Sequence, residues 1–262
     1  MLFKESLISA ITSIKSNATR SFLTSLAIIM GTAAVIAVIG LGSSAEKALE
    51  QSIDDLGGRT LYVQPGQNRR GAVTKGLIPL DIKDAEALAK NNEHNWQISP
   101  TITRNRQIKF NNANINERVG AYLPVHFKVR GYDLEHGRLY TEDENLGRKR
   151  VVVIGSDVPG ELKTSVKNIL NNEILIAGVS YKVIGILKEE GSTGWQNPDD
   201  EFYVPLLTGA QRLFGTDKVD SINIGISNEN NIDAVMMTIE EIIRAKHDIG
   251  PGEDNDFRIS DY

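Results

Sequence analysis

The chain has 262 residues, 40% hydrophobic and 24% charged, enough for one large domain or two small ones. Its formal net charge of -5 gives no general attraction to nucleic acid, and the absence of cysteine removes disulfides, thiolate metal sites and cysteine catalysis. The charge is uneven: residues 1–45 hold Lys4, Lys15 and Arg20 against Glu5, a balance of +2, which leaves -7 for the remainder.

In residues 1–20, Phe3, Leu7, Ile11, Ile14 and Ala18 share one helical face, while Lys4, Ser9, Thr12, Ser13 and Ser16 lie elsewhere. This pattern predicts an amphipathic helix in the membrane interface. No charged side chain follows Arg20 until Glu46. The run is about 25 residues, roughly 37 Å as a helix, enough to cross a bilayer with some tilt. A transmembrane helix is expected from Ser21 to Ala45. A cleaved signal peptide is the rival, with Ser43-Ser44-Ala45 as its cleavage site, but signal cores are only about 7–15 residues long. Lys15 and Arg20 before the span place residues 1–20 in the cytoplasm and 46–262 outside.

Within the run, "VIAVIGLGSSAEKALEQSI" imitates a dinucleotide fingerprint, with Gly40, Gly42 and Ala45 as its small residues. It would need a short strand at Val35–Ile39 and an acidic residue after a second strand at Thr60–Val63, where Gln64 stands instead. The long apolar approach fits a membrane span better. Ser43–Leu56 has helical spacing, and Gly57-Gly58 stops it. After the strand Thr60–Gln64, residues 66–76 read as an exposed loop. Gly71 and Gly76 there have phosphate-loop spacing, but Leu77-Ile78 follow where Lys-Ser/Thr is required. A helix is predicted at Ile82–Asn91 with Asp81 as N-cap.

From Ile98 onward strand signals dominate: Ile98–Thr103, Gln107–Phe110, Glu117–Leu123, Lys128–Tyr132, Arg150–Ile154, Glu173–Ile176, Tyr181–Glu189, Glu201–Pro205, Ser221–Ile226 and Phe257–Ser260. Helices are expected near Pro159–Leu170, Thr208–Phe214 and Ile232–His247. The pattern predicts an α+β class: an interfacial helix, a membrane helix, then a mixed α/β extracytoplasmic domain of two small subdomains.

Several segments carry a resemblance: "TRSFLTSLAIIMGTAAVIAVIGLGSSA", "LGGRTLYVQPG", "VRGYDLEHGRLYTEDE", "RVVVIGSDV", "ILIAGVSYKVIGILKEEG" and "DEFYVPLLTGAQRLFG". In this order they resemble the MacB-like periplasmic core domain of type VII ABC transporter permeases, the MacB/LolC/LolE/FtsX-like group. The resemblance implies a permease subunit of the bacterial inner membrane with four transmembrane helices, one before the outer domain and three after it. It also implies a cytoplasmic ABC ATPase, separate or fused, a second permease protomer forming a dimer, and in some systems a periplasmic adaptor. Such permeases export molecules or extract lipids and lipoproteins by mechanotransmission. Thr24–Leu56 would be the lever, with Gly40, Gly42, Ser43 and Ser44 as a glycine break between span and stalk. Where the family has glycine before the strand entering "IAGV", this chain has Asn171, which tolerates a left-handed turn. No second apolar span occurs before Tyr262, so a fragment lacking the three later helices is expected. The alternative is a membrane-anchored binding or sensor domain without transport activity.

No catalytic constellation is evident, and no cofactor or metal is expected. Gly155-Ser156-Asp157 lacks the glycines of a nucleophile elbow and reads as a turn. His94, His126, His136 and His247 lack zinc-helix spacing, with His136 read in a surface turn. The acidic groups Glu142-Asp143-Glu144, Asp199-Asp200-Glu201 and Glu253-Asp254-Asn255-Asp256 lack the EF-hand pattern and read as solvated faces. Trp96 and Trp195 are both candidate ligand contacts; Trp195, between the glycines of "GSTGWQNPDDE", is the stronger candidate for touching a partner or substrate, with simple packing as the alternative.

Overall fold

The apolar stretch folds as one uninterrupted helix. A computed structural model describes residues 12, 16–55, 59–66, 79–92, 95–191, 197–226 and 232–261, and within it α1 runs over Ala18–Asp55. Its 38 residues rise about 57 Å at 1.5 Å each. The 23 residues Ala18–Gly40 are long and apolar enough to cross a membrane. Large side chains there, such as Phe22, Ile36 and Val38, are exposed. Thr24 and Thr32 donate their hydroxyls to the carbonyls of Arg20 and Ile28, both at 3.0 Å, so neither needs water. Beyond Gly40 the helix continues to Asp55, adding roughly 22 Å.

Val35–Ile39 is therefore helix rather than strand, and the break expected at Gly40 and Gly42 is absent. Two glycines weaken a helix by about 1 kcal/mol each, too little to stop one flanked by long helical runs on both sides. Ser21, Ser43, Ser44 and Ala45 all fall inside α1, and the expected stalk helix is its C-terminal part. Most of the interfacial helix expected over 1–20, the loop expected over 66–76 from position 67, and Trp195 lie outside the described residues.

The chain divides into two compact units, Met1–Ile53 and Asp54–Tyr262. The second contains β1 (Arg59–Pro65), α2 (Ile82–Lys90), β2 (Gln97–Phe110), β3 (Ala113–Tyr122), α3 (Val125–Arg130), β4 (Leu134–Gly137), α4 (Glu142–Leu146), β5 (Val151–Ile154), α5 (Val158–Glu161), α6 (Val166–Ile169), β6 (Glu173–Ile176), β7 (Val179–Leu187), β8 (Phe202–Pro205), α7 (Leu206–Thr208), β9 (Ser221–Ile226), α8 (Ile232–Lys246) and β10 (Phe257–Asp261). The strands form one mixed sheet in the order β10-β1-β9-β2-β3-β8-β5-β7-β4, with β6 pairing β2 and β7. The two halves expected from the strand pattern thus share one sheet, bridged by the long β2–β3 hairpin and by β8.

Alternation with period two gives this sheet its two faces. On β1, Leu61 and Val63 point into the core, and on β9 Ile222, Ile224 and Ile226 do the same. Helices α2 and α8 cover that apolar face with Ala85, Leu88, Val235, Ile239 and Ile243. Asp81 caps α2 as expected: it accepts the Asp84 N–H at 3.1 Å, and the Asp84 carboxylate accepts the Asp81 N–H at 2.8 Å.

Three local expectations are corrected. Lys128–Tyr132 is not a strand; residues 125–130 form α3, which starts after Pro124 and stops at left-handed Gly131. The helix expected over Pro159–Leu170 is two short turns, α5 and α6, parted by Lys163 at φ 52°. The strands 98–103 and 107–110 are one, because Arg104, Asn105 and Arg106 continue the ladder opposite β3. Glu142-Asp143-Glu144 opens α4, where negative charge suits the helix start, with Glu142 and Asp143 exposed as expected of a solvated face. Asn171 does adopt the left-handed turn, at φ 64°.

Candidate functional site

The uncovered sheet face carries the site. Strand register places Tyr62, Asn223 and Ser99 in one row across β1, β9 and β2, and Ser221, Thr101 and Tyr122 in the next across β9, β2 and β3. Alternation that turns the isoleucines inward turns these polar side chains the other way. All of them except the buried Ser99 line a cleft of about 900 Å³ together with Gln64, Thr103, Arg104, Asn105, Arg118, His126, Arg130, Tyr132, Glu201 and Asp220. Short α3 lies against β2 and β9 and supplies His126 and Arg130.

One wall is a buried aromatic and acidic group. The Tyr122 hydroxyl donates to Glu201 Oε1 at 2.5 Å. Arg118 Nε lies 3.5 Å from the same oxygen. Burial pushes the Glu201 carboxyl up despite nearby Arg118, and burial with the Glu201 charge pushes the Tyr122 phenol well up. The proton therefore stays on Tyr122. Its ring stacks on His126, centroids 3.9 Å apart and planes 20° from parallel. Gly120 permits this pose: a Cβ there would meet the Tyr122 ring at 2.1 Å.

His126 Nδ1 lies 3.1 Å from Ser99 Oγ. Burial and the charge of Arg130 push the imidazole well below its ordinary range, so His126 is neutral at pH 7. The pair has the spacing of a nucleophile and its base, but Ser99 is 0% exposed and beyond reach of any substrate. Its role is structural. Arg130 donates through Nη1 to the Tyr62 hydroxyl and through Nε to the Tyr132 hydroxyl at 3.3 Å. At the rim, Arg104 Nη1 is 2.8 and 2.7 Å from the two Asp220 oxygens.

Of the candidates singled out from sequence, His126 and Glu201 line the cleft, whereas His136, Ser156 and Asp199 do not. His136 is exposed on β4. Asp199 and Glu201 are buried, which corrects their reading as a solvated face: Asp199 accepts the backbone N–H groups of Glu190 and Gly191, and Glu201 holds Tyr122. Gly155-Ser156-Asp157 is the bend after β5. Among the described residues no group of three or more His, Asp or Glu converges as metal ligands. The cleft itself was missed, although Ser99, Thr101 and Thr103 alternating with Ile98 and Ile102 carry its signal.

The sequence profile of the MacB-like periplasmic core domain matches residues 21–242. This chain belongs to that family. The macrolide export ATP-binding/permease protein MacB of Bdellovibrio bacteriovorus is 32% identical over 235 residues, covering 88% of this chain and 36% of that protein. The MacB of Chlorobium luteolum is 28% identical over 255 residues, covering 96% of this chain and 38% of that protein. The chain thus spans little more than a third of these relatives. The periplasmic region of MacB from Actinobacillus actinomycetemcomitans shares the fold with a TM-score of 0.62 at 20% identity, covering 79% of this chain and 91% of that one. The extracellular domain of the noncanonic ABC-type transporter YknZ from Gram-positive bacteria gives 0.63 at 18% identity, covering 77% and 99%. This MacB-like chain accordingly joins an N-terminal apolar helix to a sheet-rich domain of the MacB periplasmic kind.

Proposed function

We propose that the chain is the anchor and outer domain of a permease that couples cytoplasmic ATP hydrolysis to conformational change outside the inner membrane. The work done there is export or the extraction of lipids or lipoproteins. The unbroken course of α1 through Gly40–Ala45 carries this reading. A helix that leaves the bilayer and continues roughly 22 Å further moves as a rod, so a tilt at its membrane end displaces its outer end. Partners in this reading are a cytoplasmic ABC ATPase, a second permease protomer and, in some assemblies, a periplasmic adaptor. No catalytic or cofactor role falls to this chain.

The test replaces Ser43 and Ser44 with Pro and Gly in the full-length permease reconstituted with its ATPase. Proline removes a helical hydrogen bond and clashes with the preceding turn, at about 3 kcal/mol or more. Assembly and ATP hydrolysis should persist while transport is lost. Transport equal to wild type at matched expression would reduce α1 to an anchor and favour the binding or sensor reading.

A further inference from the structure

We propose that the polar cleft on the open sheet face binds a small organic anion, a carboxylate or phosphate bearing hydrogen-bonding groups of its own. This does not depend on the transport reading. The two arginines on the cleft's inner side carry it. Arg130 is half-buried, and its hydrogen bonds go to the hydroxyls of Tyr62 and Tyr132, which are neutral groups. Among the described residues no carboxylate pairs with it. Arg118 Nε is shielded from solvent and has no hydrogen-bond partner, and the Glu201 oxygen 3.5 Å away already accepts from Tyr122. A partly buried guanidinium without an anion is costly, and a carboxylate or phosphate accepts from it bidentately.

Arg104 shows the contrast. It is closed on Asp220 and has no equivalent vacancy for a charge.

The neighbouring wall is set for hydrogen bonding and is rigid before any ligand arrives. Thr101 Oγ1 lies 2.8 Å from Ser221 Oγ, which donates to Asn223 Oδ1 at 3.0 Å, and all three are partly or wholly buried. The stacked Tyr122 and His126 rings are fixed as well. A preformed wall loses little freedom on binding. At about 900 Å³ the cleft is of small-molecule size. It lies on the middle strands β9, β2 and β3, so no free sheet edge invites a peptide strand.

The experiment titrates the purified full chain, in nanodiscs of zwitterionic lipid at low ionic strength, with sodium gluconate and inorganic phosphate by calorimetry. Glucose is the uncharged control. Gluconate should bind saturably with Kd of about 1 mM or tighter, and glucose should not bind. Arg130→Gln and Arg118→Gln should each weaken gluconate roughly tenfold or more, while Arg138→Gln, whose partner Glu144 lies outside the cleft, should leave it unchanged. If Arg130→Gln fails to fold, Arg118→Gln decides alone: its Nε holds no hydrogen bond, and the one carboxylate beside it, Glu201 at 3.5 Å, keeps its hydrogen bond from Tyr122. Nanodiscs containing phosphatidylglycerol separate the two sources of such an anion. Unchanged gluconate affinity marks a free solute, and competitive loss marks a lipid headgroup; both support an anion site in the cleft. Absence of saturable binding to folded wild type, an equal response to glucose, or unchanged affinity in Arg118→Gln overturns the proposal.

Discussion

His247 Nε2 lies 3.2 Å from Asp84 Oδ2, a contact that ties the chain just past α8 to the first turn of α2. On its other side Nδ1 lies 2.9 Å from Asp256 Oδ2. Both ring nitrogens face carboxylates, and only the imidazolium can donate to both.

Burial pulls the His247 imidazole down, but its hydrogen bonds to Asp256 and Asp84 outweigh this and leave it raised. A group whose folded pKa is raised stabilises the fold fully below its unfolded pKa, about 6.5 here, and loses that contribution as pH climbs through the folded value. His247→Asn should therefore cost about 1.5–3 kcal/mol at pH 5.5 and clearly less at pH 9. Urea melts of the full chain at both pH values measure the difference. An equal loss at both would show that the ring serves by packing alone.

The Tyr122–Glu201 hydrogen bond should behave as a coupled unit. Tyr122→Phe strands a buried carboxyl and should destabilise by about 1–3 kcal/mol. Because the Glu201 carboxyl is pushed up by burial, its protonated form is the better tolerated one in the fold. Its contribution is thus complete below about pH 4.3 and declines as pH rises through the raised value. Glu201→Gln should remove that part of the pH dependence. With Gln present, Tyr122→Phe should cost less than in wild type, and a double-mutant cycle in urea gives the coupling energy. Strict additivity would mean that the short contact contributes nothing.

Elements with a periodic apolar face were readable before the fold: α2 and α8 at helical spacing, β1 and β9 at strand spacing, and the capping role of Asp81. What failed was local chemistry overruled by tertiary packing. Val129 and Tyr132 favour a strand by propensity, yet Pro124 and Gly131 fix a helical turn between them, and burial of Phe127 and Val129 holds it. The acidic run at Asp199-Asp200-Glu201 looked solvated because sequence gives no sign that Tyr122, 79 residues earlier, closes over Glu201. The cleft was hidden for the same reason: its rows join residues from β1, β9, β2 and β3, and only the register reveals them.

The continuity of α1 gives the last test. Gly40 has open space around the position of a Cβ, with nothing within 4 Å, so alanine fits there without strain. Gly40→Ala together with Gly42→Ala should stabilise the helix by about 1 kcal/mol per site by lowering backbone freedom. The substitution alters helix propensity while leaving the outer domain's sheet untouched. Hydrogen exchange of the full chain in nanodiscs should show slower exchange across 40–50 and no change in β2 or β9. If the segment were hinged at the glycines in the membrane-bound protein, wild-type exchange at 40–45 would match that of an open loop and the alanines would slow it far more than thirtyfold. A slowing of up to roughly thirtyfold, the equivalent of about 1 kcal/mol at each of the two sites, instead marks a helix already formed in the wild type and able to carry a tilt along its length.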